Sequence, residues 1–184
     1  MVTIPDEVRE RIRAYLAHQA AKEPAEIRSI VQQGHDQLFG ALDGLSAEQA
    51  IFKPGPDDWS VLEVLGHAVQ SERGVARICG LLARGETPAG FGDEGEARPR
   101  PGINPATKSF PSLAEARPAL EEAHQELLAF IDALSSEADV ETRYEHGFFG
   151  LLNCREWAVF QRLHDGDHAG QIEKIKSARG YPPS

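Results

Sequence analysis

What most constrains this chain is the spacing of its apolar residues, which recur at steps of three and four along most of its length. Residues 6–21 carry Val8, Ile12, Tyr15 and Leu16 at that spacing, which predicts a short amphipathic helix. Pro24 opens a second stretch, striped by Ile27, Ile30, Val31, Leu38, Leu42 and Leu45. The segment "GLSAEQAIFKPGPDD" breaks it with Gly44, Pro54, Gly55 and Pro56, residues that punctuate helices. A third stretch runs through Val61, Leu62, Leu65, Val69, Ile78, Leu81 and Leu82. Ser60 and Glu63, three apart at its start, have the spacing of a capping box, and Gly85 is a natural stop. Leu113, Leu120, Leu127, Leu128 and Ile131 predict another helix over 112–134, and a last one covers 153–179 before Gly180 and Pro182–Pro183. Val140 to Tyr144 suits a β-strand but is too short to build a sheet.

An all-α chain follows, with four helices of bundle length and one extra at the start. A four-helix bundle with a long crossover connection is its natural architecture. The crossover falls on residues 85–111, rich in Gly, Pro and charge and without any period. A connection that long in a compact domain is either a lid or a crossover. We expect a helical appendage over 1–23 and a bundle domain over 24–180.

The 29 acidic residues outnumber 19 basic ones, for a net charge of −10. That balance argues against nucleic acid as a partner, since binding phosphates needs clustered Lys and Arg. No apolar run approaches the length of about 18 residues that a membrane span needs. "MVTIPDEVRERIRAYL" lacks the apolar region of a secretory signal, and Cys79 and Cys154 are too few for a disulfide framework. The expectation is a reduced, cytoplasmic protein whose two cysteines are packed core thiols.

Chemistry concentrates in "RLHDGDHAGQI". His164 and His168 stand four apart, so they project from one helix face, shared with Trp157, Gln161, Gln171, Ile172 and Ile175. Pointed into a bundle, two imidazoles without partners would cost about 1–3 kcal/mol each. His67 occupies a comparable mid-helix stripe with Glu63, Ser71, Gly74, Ile78 and Leu82. Three neutral imidazoles with an open position suit one divalent ion, Zn, Ni, Fe or Mn. His18, His35, His124 and His146 read as surface or satisfied core residues, although His35 or His124 could enter the site from the other two helices. Asp165 and Asp167 flank the histidine face and Glu72 lies off the His67 stripe, so all three read as solvated helix carboxylates.

Two rival motifs fail on their own mechanics. "HDGDH" puts the shorter Asp165 where a metalloprotease carries Glu, and too little chain follows His168 for the third ligand. Di-iron bundles need two Glu-x-x-His runs and two further Glu residues, whereas "EEAH" at 121–124 supplies one such run and Glu63 to His67 has the wrong spacing.

The residues converge on a family at this point. "DDWSVLEVLGHAVQSE", which follows "LSAEQAIFKPG", and "NCREWAVFQRLHDGDHAGQI" resemble the DinB-like metal-binding four-helix bundles over residues 25–176. The resemblance implies that His67, His164 and His168 coordinate one divalent metal. Gln171 and Glu63, one turn from His168 and His67, are the candidates to orient the rings, with Glu63 also claimed by the capping box. Relatives of this fold use low-molecular-weight thiols in S-transfer or isomerisation, and others look like hydrolases. The resemblance therefore implies a metal-dependent enzyme, foremost a thiol-dependent S-transferase acting on small-molecule electrophiles. The alternatives are a metal-dependent hydrolase and a non-catalytic metal-binding structural or interaction bundle. Relatives often pair, so a homodimer is expected too.

Overall fold

The computed structural model describes residues 5–88, 109–135 and 138–183. Among these residues the chain forms α1 (Asp6–Ala20), α2 (Pro24–Gly40), a short α3 (Ala47–Ile51), α4 (Val61–Leu82), α5 (Leu113–Asp132), a hairpin of β1 (Tyr144–His146) and β2 (Gly150–Leu152), and α6 (Cys154–Lys176). The four long helices expected from the periodicity are present, with ends within a few residues of their signals. The strand starts at Tyr144, where the β-compatible run was expected to end, and pairs antiparallel with Tyr144 opposite Leu152. The helix α3 was not anticipated.

Local chemistry sets the helix starts. The Ser60 hydroxyl accepts from the Glu63 amide at 3.3 Å, and the Glu63 carboxylate accepts from the Ser60 amide at 2.8 Å. The same reciprocal box opens α3 at Ser46/Gln49 and α6 at Asn153/Glu156. At the other end of α4, Gly85 takes a φ of +74°, and the amides of Gly85 and Glu86 close on the carbonyls of Leu82 and Leu81.

The core lies in two apolar clusters, and their membership gives the topology. One gathers Ile27 and Val31 of α2, Val75 and Leu82 of α4, Leu127 and Ile131 of α5, and Trp157 and Val159 of α6. The other gathers Leu38, Val61 to Val69, Ala116 to Ala123, and Ile172 with Ile175. Thus the first half of α2 and of α6 meets the second half of α4 and of α5. Helices α2 and α6 run parallel, and α4 and α5 run parallel to each other and against them. The end of α4 and the start of α5 therefore lie at opposite ends of the bundle, the placement that a crossover connection requires. A lid role for 85–111 concerns mostly residues 89–108, which lie outside the described residues. Helix α1 packs against α6 and buries Leu16 in the first cluster.

One crossing is unusually close. A Cβ placed on Gly34 of α2 would stand 2.9 Å from both the Cα and the carbonyl oxygen of Arg162 in α6. No helix among the described residues is long and apolar enough to cross a membrane.

Candidate metal centre

Between the two apolar clusters the bundle is polar at one level in all four long helices. One side of this layer holds the imidazoles of His67 on α4 and of His164 and His168 on α6. Their inner nitrogens converge. His164 Nε2 stands 3.2 Å from His67 Nε2 and 3.2 Å from His168 Nε2. Ligands sharing one ion at about 2.0–2.1 Å stand about 3.0–3.4 Å apart, depending on coordination number, so this spacing fits. The fold thus brings together the three histidines named from the sequence.

Their protonation also fits. Burial pushes the His67 imidazole down to about 4, with His168 adding to the shift. His164 is held well below its ordinary value by burial and by the neighbouring imidazoles. Burial lowers His168 too, against the opposing pull of Gln171 and Asp167. All three rings are therefore neutral at pH 7, the form that binds metal. Gln171 sets the tautomer of one of them: His168 Nδ1–H donates to Gln171 Oε1 at 3.0 Å, which leaves the Nε2 lone pair aimed inward. Glu63 serves its cap, with Oε2 on the Ser60 amide and Oε1 on Lys53 Nζ at 2.7 Å. Trp59 and Phe160 flank the triad at ring distances of 5.2 Å from His67 and 5.6 Å from His164. Behind Phe160 lies His146, buried among Phe149, Trp157 and Phe160, its pKa lowered to about 4 by that burial. Its Nδ1 accepts from the amides of Phe148 and Phe149 and closes the hairpin turn.

The other side of the layer corrects three readings. Glu72 and Asp165, expected to be solvated, are both 0% exposed, and His35 and His124 are buried beside them rather than at the triad. His124 Nδ1 lies 3.3 Å from Glu72 Oε1, and His35 Nδ1 lies 3.6 Å from the same oxygen. The two rings stack at 3.7 Å, and His35 Nε2–H donates to Glu121 Oε2 at 3.2 Å. Burial opposes a charge on His35, but Glu72 and Glu121 outweigh it and raise its pKa. Burial likewise opposes ionisation of Glu72, and His124 and His35 outweigh it. Asp165 is pushed well above the usual carboxylate range by burial and by Glu72. One amide joins the two sides: Gln161 Nε2 donates to Asp165 Oδ1 at 2.6 Å and lies 3.5 Å from His164 Nδ1. Asp167 and His18 are exposed, as expected.

Local spacing could not reveal this second group, because its members come singly from four helices. Only "EEAH" hinted at it. Glu121 and His124, the two ends of the single Glu-x-x-His run, both join the group, but with partners from α2 and α4.

Comparison with known proteins agrees with the fold. Residues 30–172 match the sequence profile of the DinB superfamily. The uncharacterized protein YuaE of Bacillus subtilis (strain 168) is 26% identical over 156 residues, spanning 80% of this chain and 96% of that protein. Among solved structures, TT2238, described as a four-helix bundle protein, superposes with a TM-score of 0.59 at 20% identity. That match covers 82% of this chain and 98% of the other.

Proposed function

The chain belongs to the DinB superfamily, and from that premise we propose that it is a metal-dependent enzyme, a thiol S-transferase acting on small electrophiles. In this reading His67, His164 and His168 hold one divalent ion. The observation that carries it is the convergence of three neutral Nε2 atoms without a fourth ligand in their group among the described residues. His35 and His124, the candidates for closing the site, turn to Glu72 instead. No fourth protein ligand among the described residues closes the group, and an open position is what separates catalytic from structural sites. An ion held by three neutral imidazoles keeps its full charge and favours the anionic form of a thiol that fills the open position.

The chain's own residues supply the rest. Gln171 fixes the orientation of His168, and the Ser60–Glu63 cap fixes the start of the helix that carries His67. Trp59 and Phe160 limit water beside the rings, which strengthens electrostatic interactions there.

Co²⁺ titration of the metal-stripped chain tests this. The absorption difference between wild type and His67→Ala should contain visible bands that shift when N-acetylcysteine is added. A difference spectrum that no thiol moves would overturn the transferase reading, and bands that move with water-mimicking anions alone would point to hydrolysis. Identical spectra for the two proteins would remove His67 from the ligand set.

A further inference from the structure

The second polar group is harder to account for than the first. His35 is 2% exposed, and Glu72, His124 and Asp165 are 0% exposed, one residue from each long helix. Each keeps a buried atom without a hydrogen-bond partner: His35 Nδ1, Glu72 Oε2, His124 Nε2 and Asp165 Oδ2. A buried polar atom left without a partner loses its hydration and gains nothing in return. The set is also mismatched. Two carboxylates face each other, one of them held protonated, and two imidazoles face one carboxylate oxygen. Protons on Asp165 and His35 would find partners in Glu72, but His124 Nε2 would stay stranded. A divalent cation serves several acceptors at once.

We propose that His35, Glu72, His124 and Asp165 form a second metal centre, closed to solvent, on the axis of the bundle. The spacing supports it. Ligand atoms of His35, Glu72 and His124 lie within 4.8 Å of one another. The two imidazole Nδ1 atoms stand 3.3 and 3.6 Å from Glu72 Oε1, close to the ligand–ligand distances in the triad. Asp165 of α6, held by Gln161, lies against Glu72 as the fourth donor but stands outside that 4.8 Å group. Glu121 orients His35 by accepting from Nε2–H, as carboxylates do behind histidine ligands. The rings stack at an interplanar angle of 9°, so binding requires them to rotate about their Cβ–Cγ bonds until both lone pairs meet one point. Two imidazoles and two carboxylates suit a first-row divalent ion such as Zn²⁺, Fe²⁺ or Mn²⁺, and the two carboxylates balance its charge. Four protein ligands and no solvent face make this a structural centre, in contrast to the triad.

Native mass spectrometry of the full chain loaded with Zn²⁺ tests the proposal independently of the triad. Wild type should carry two ions, and His67→Ala and His124→Asn one each. The ion left in His67→Ala should resist EDTA far longer than the one left in His124→Asn, because its donors are buried. Glu72→Gln, nearly isosteric, checks the result if His124→Asn fails to fold. One ion in wild type, absent from His67→Ala, would overturn the second centre and leave the triad intact. One ion that survives in His67→Ala but is lost from Glu72→Gln would support the second centre and remove the triad.

Discussion

Gly34 and Gly74 give the same substitution opposite signs. In a helix interior, Gly→Ala gains about 1 kcal/mol from propensity alone. Gly74 in α4 has nothing within 4 Å of an added Cβ, so Gly74→Ala should keep that gain. At Gly34 the new methyl would stand 2.9 Å from two backbone atoms of Arg162, against an optimum of about 3.5–4.0 Å for carbon pairs. Neither backbone atom can rotate away, so α2 must retreat from α6. Overpacking of this kind costs about 1–3 kcal/mol, and the absence of a yielding side chain favours the upper half of that range. After subtraction of the propensity gain, Gly34→Ala should destabilise by about 1–2 kcal/mol. For a chain of this size, 1 kcal/mol moves the melting temperature by about 2–4 °C. In calorimetry with chelator present, Gly34→Ala should therefore melt about 5 °C below wild type and Gly74→Ala about 3 °C above it. A Gly34→Ala protein that melts at or above wild type would refute the close crossing.

Further outcomes follow from the site and its supports. Gln171→Leu removes the acceptor of His168 Nδ1–H, and the affinity of the triad for Zn²⁺, measured against a chelating dye, should fall about 10–100-fold; unchanged affinity would detach Gln171 from the site. Ser60→Ala should cost about 1 kcal/mol in urea denaturation by opening the cap, while Zn²⁺ affinity stays the same if Glu63 serves the cap and not the ligand. His146 is held at about 4 in the folded chain, against about 6.5 unfolded. The folded state therefore binds fewer protons between these values, and stability is present above pH 6.5 and lost as pH falls toward 4. That loss is up to about 3 kcal/mol at 1.36 kcal/mol per unit, and urea titrations in His146→Gln, which keeps an acceptor without titrating there, should show a shallower fall.

The helices were legible because each long one has a single dominant apolar period, and because Ser60, Glu63 and Gly85 state where α4 begins and ends. The triad was legible for a related reason. His164 and His168 share a face on one helix, so a one-dimensional pattern contains most of the site. Glu72 and Asp165 were misread because a stripe assumes one inward face. Helix α4 is buried at Val61, Leu62, Val64, Leu65, Gly66, Ala68 and Val69, which span most of its circumference. Helix α6 packs against α1, α2 and α4. On helices with neighbours on several sides, a residue 100° from the obvious stripe is still inside. The short α3 was hidden by the Pro- and Gly-rich run after it, although Ser46 and Gln49 carry the capping spacing. No local pattern announces Gly34, whose role depends on where Arg162 arrives.

A layer of His35, Glu72, His124 and Gln161 also divides the apolar interior across all four long helices, with one cluster on each side. Each half then has its own reason to stay folded, while the four long helices run through both. Local opening should therefore partition by end of the bundle rather than by helix. In native-state hydrogen exchange, the Val31 and Ile131 amides should open as one group, and the Leu38, Val64 and Ile172 amides as another. Metal at this level would fuse the two groups into one cooperative unit, so loading with Zn²⁺ should merge their exchange free energies.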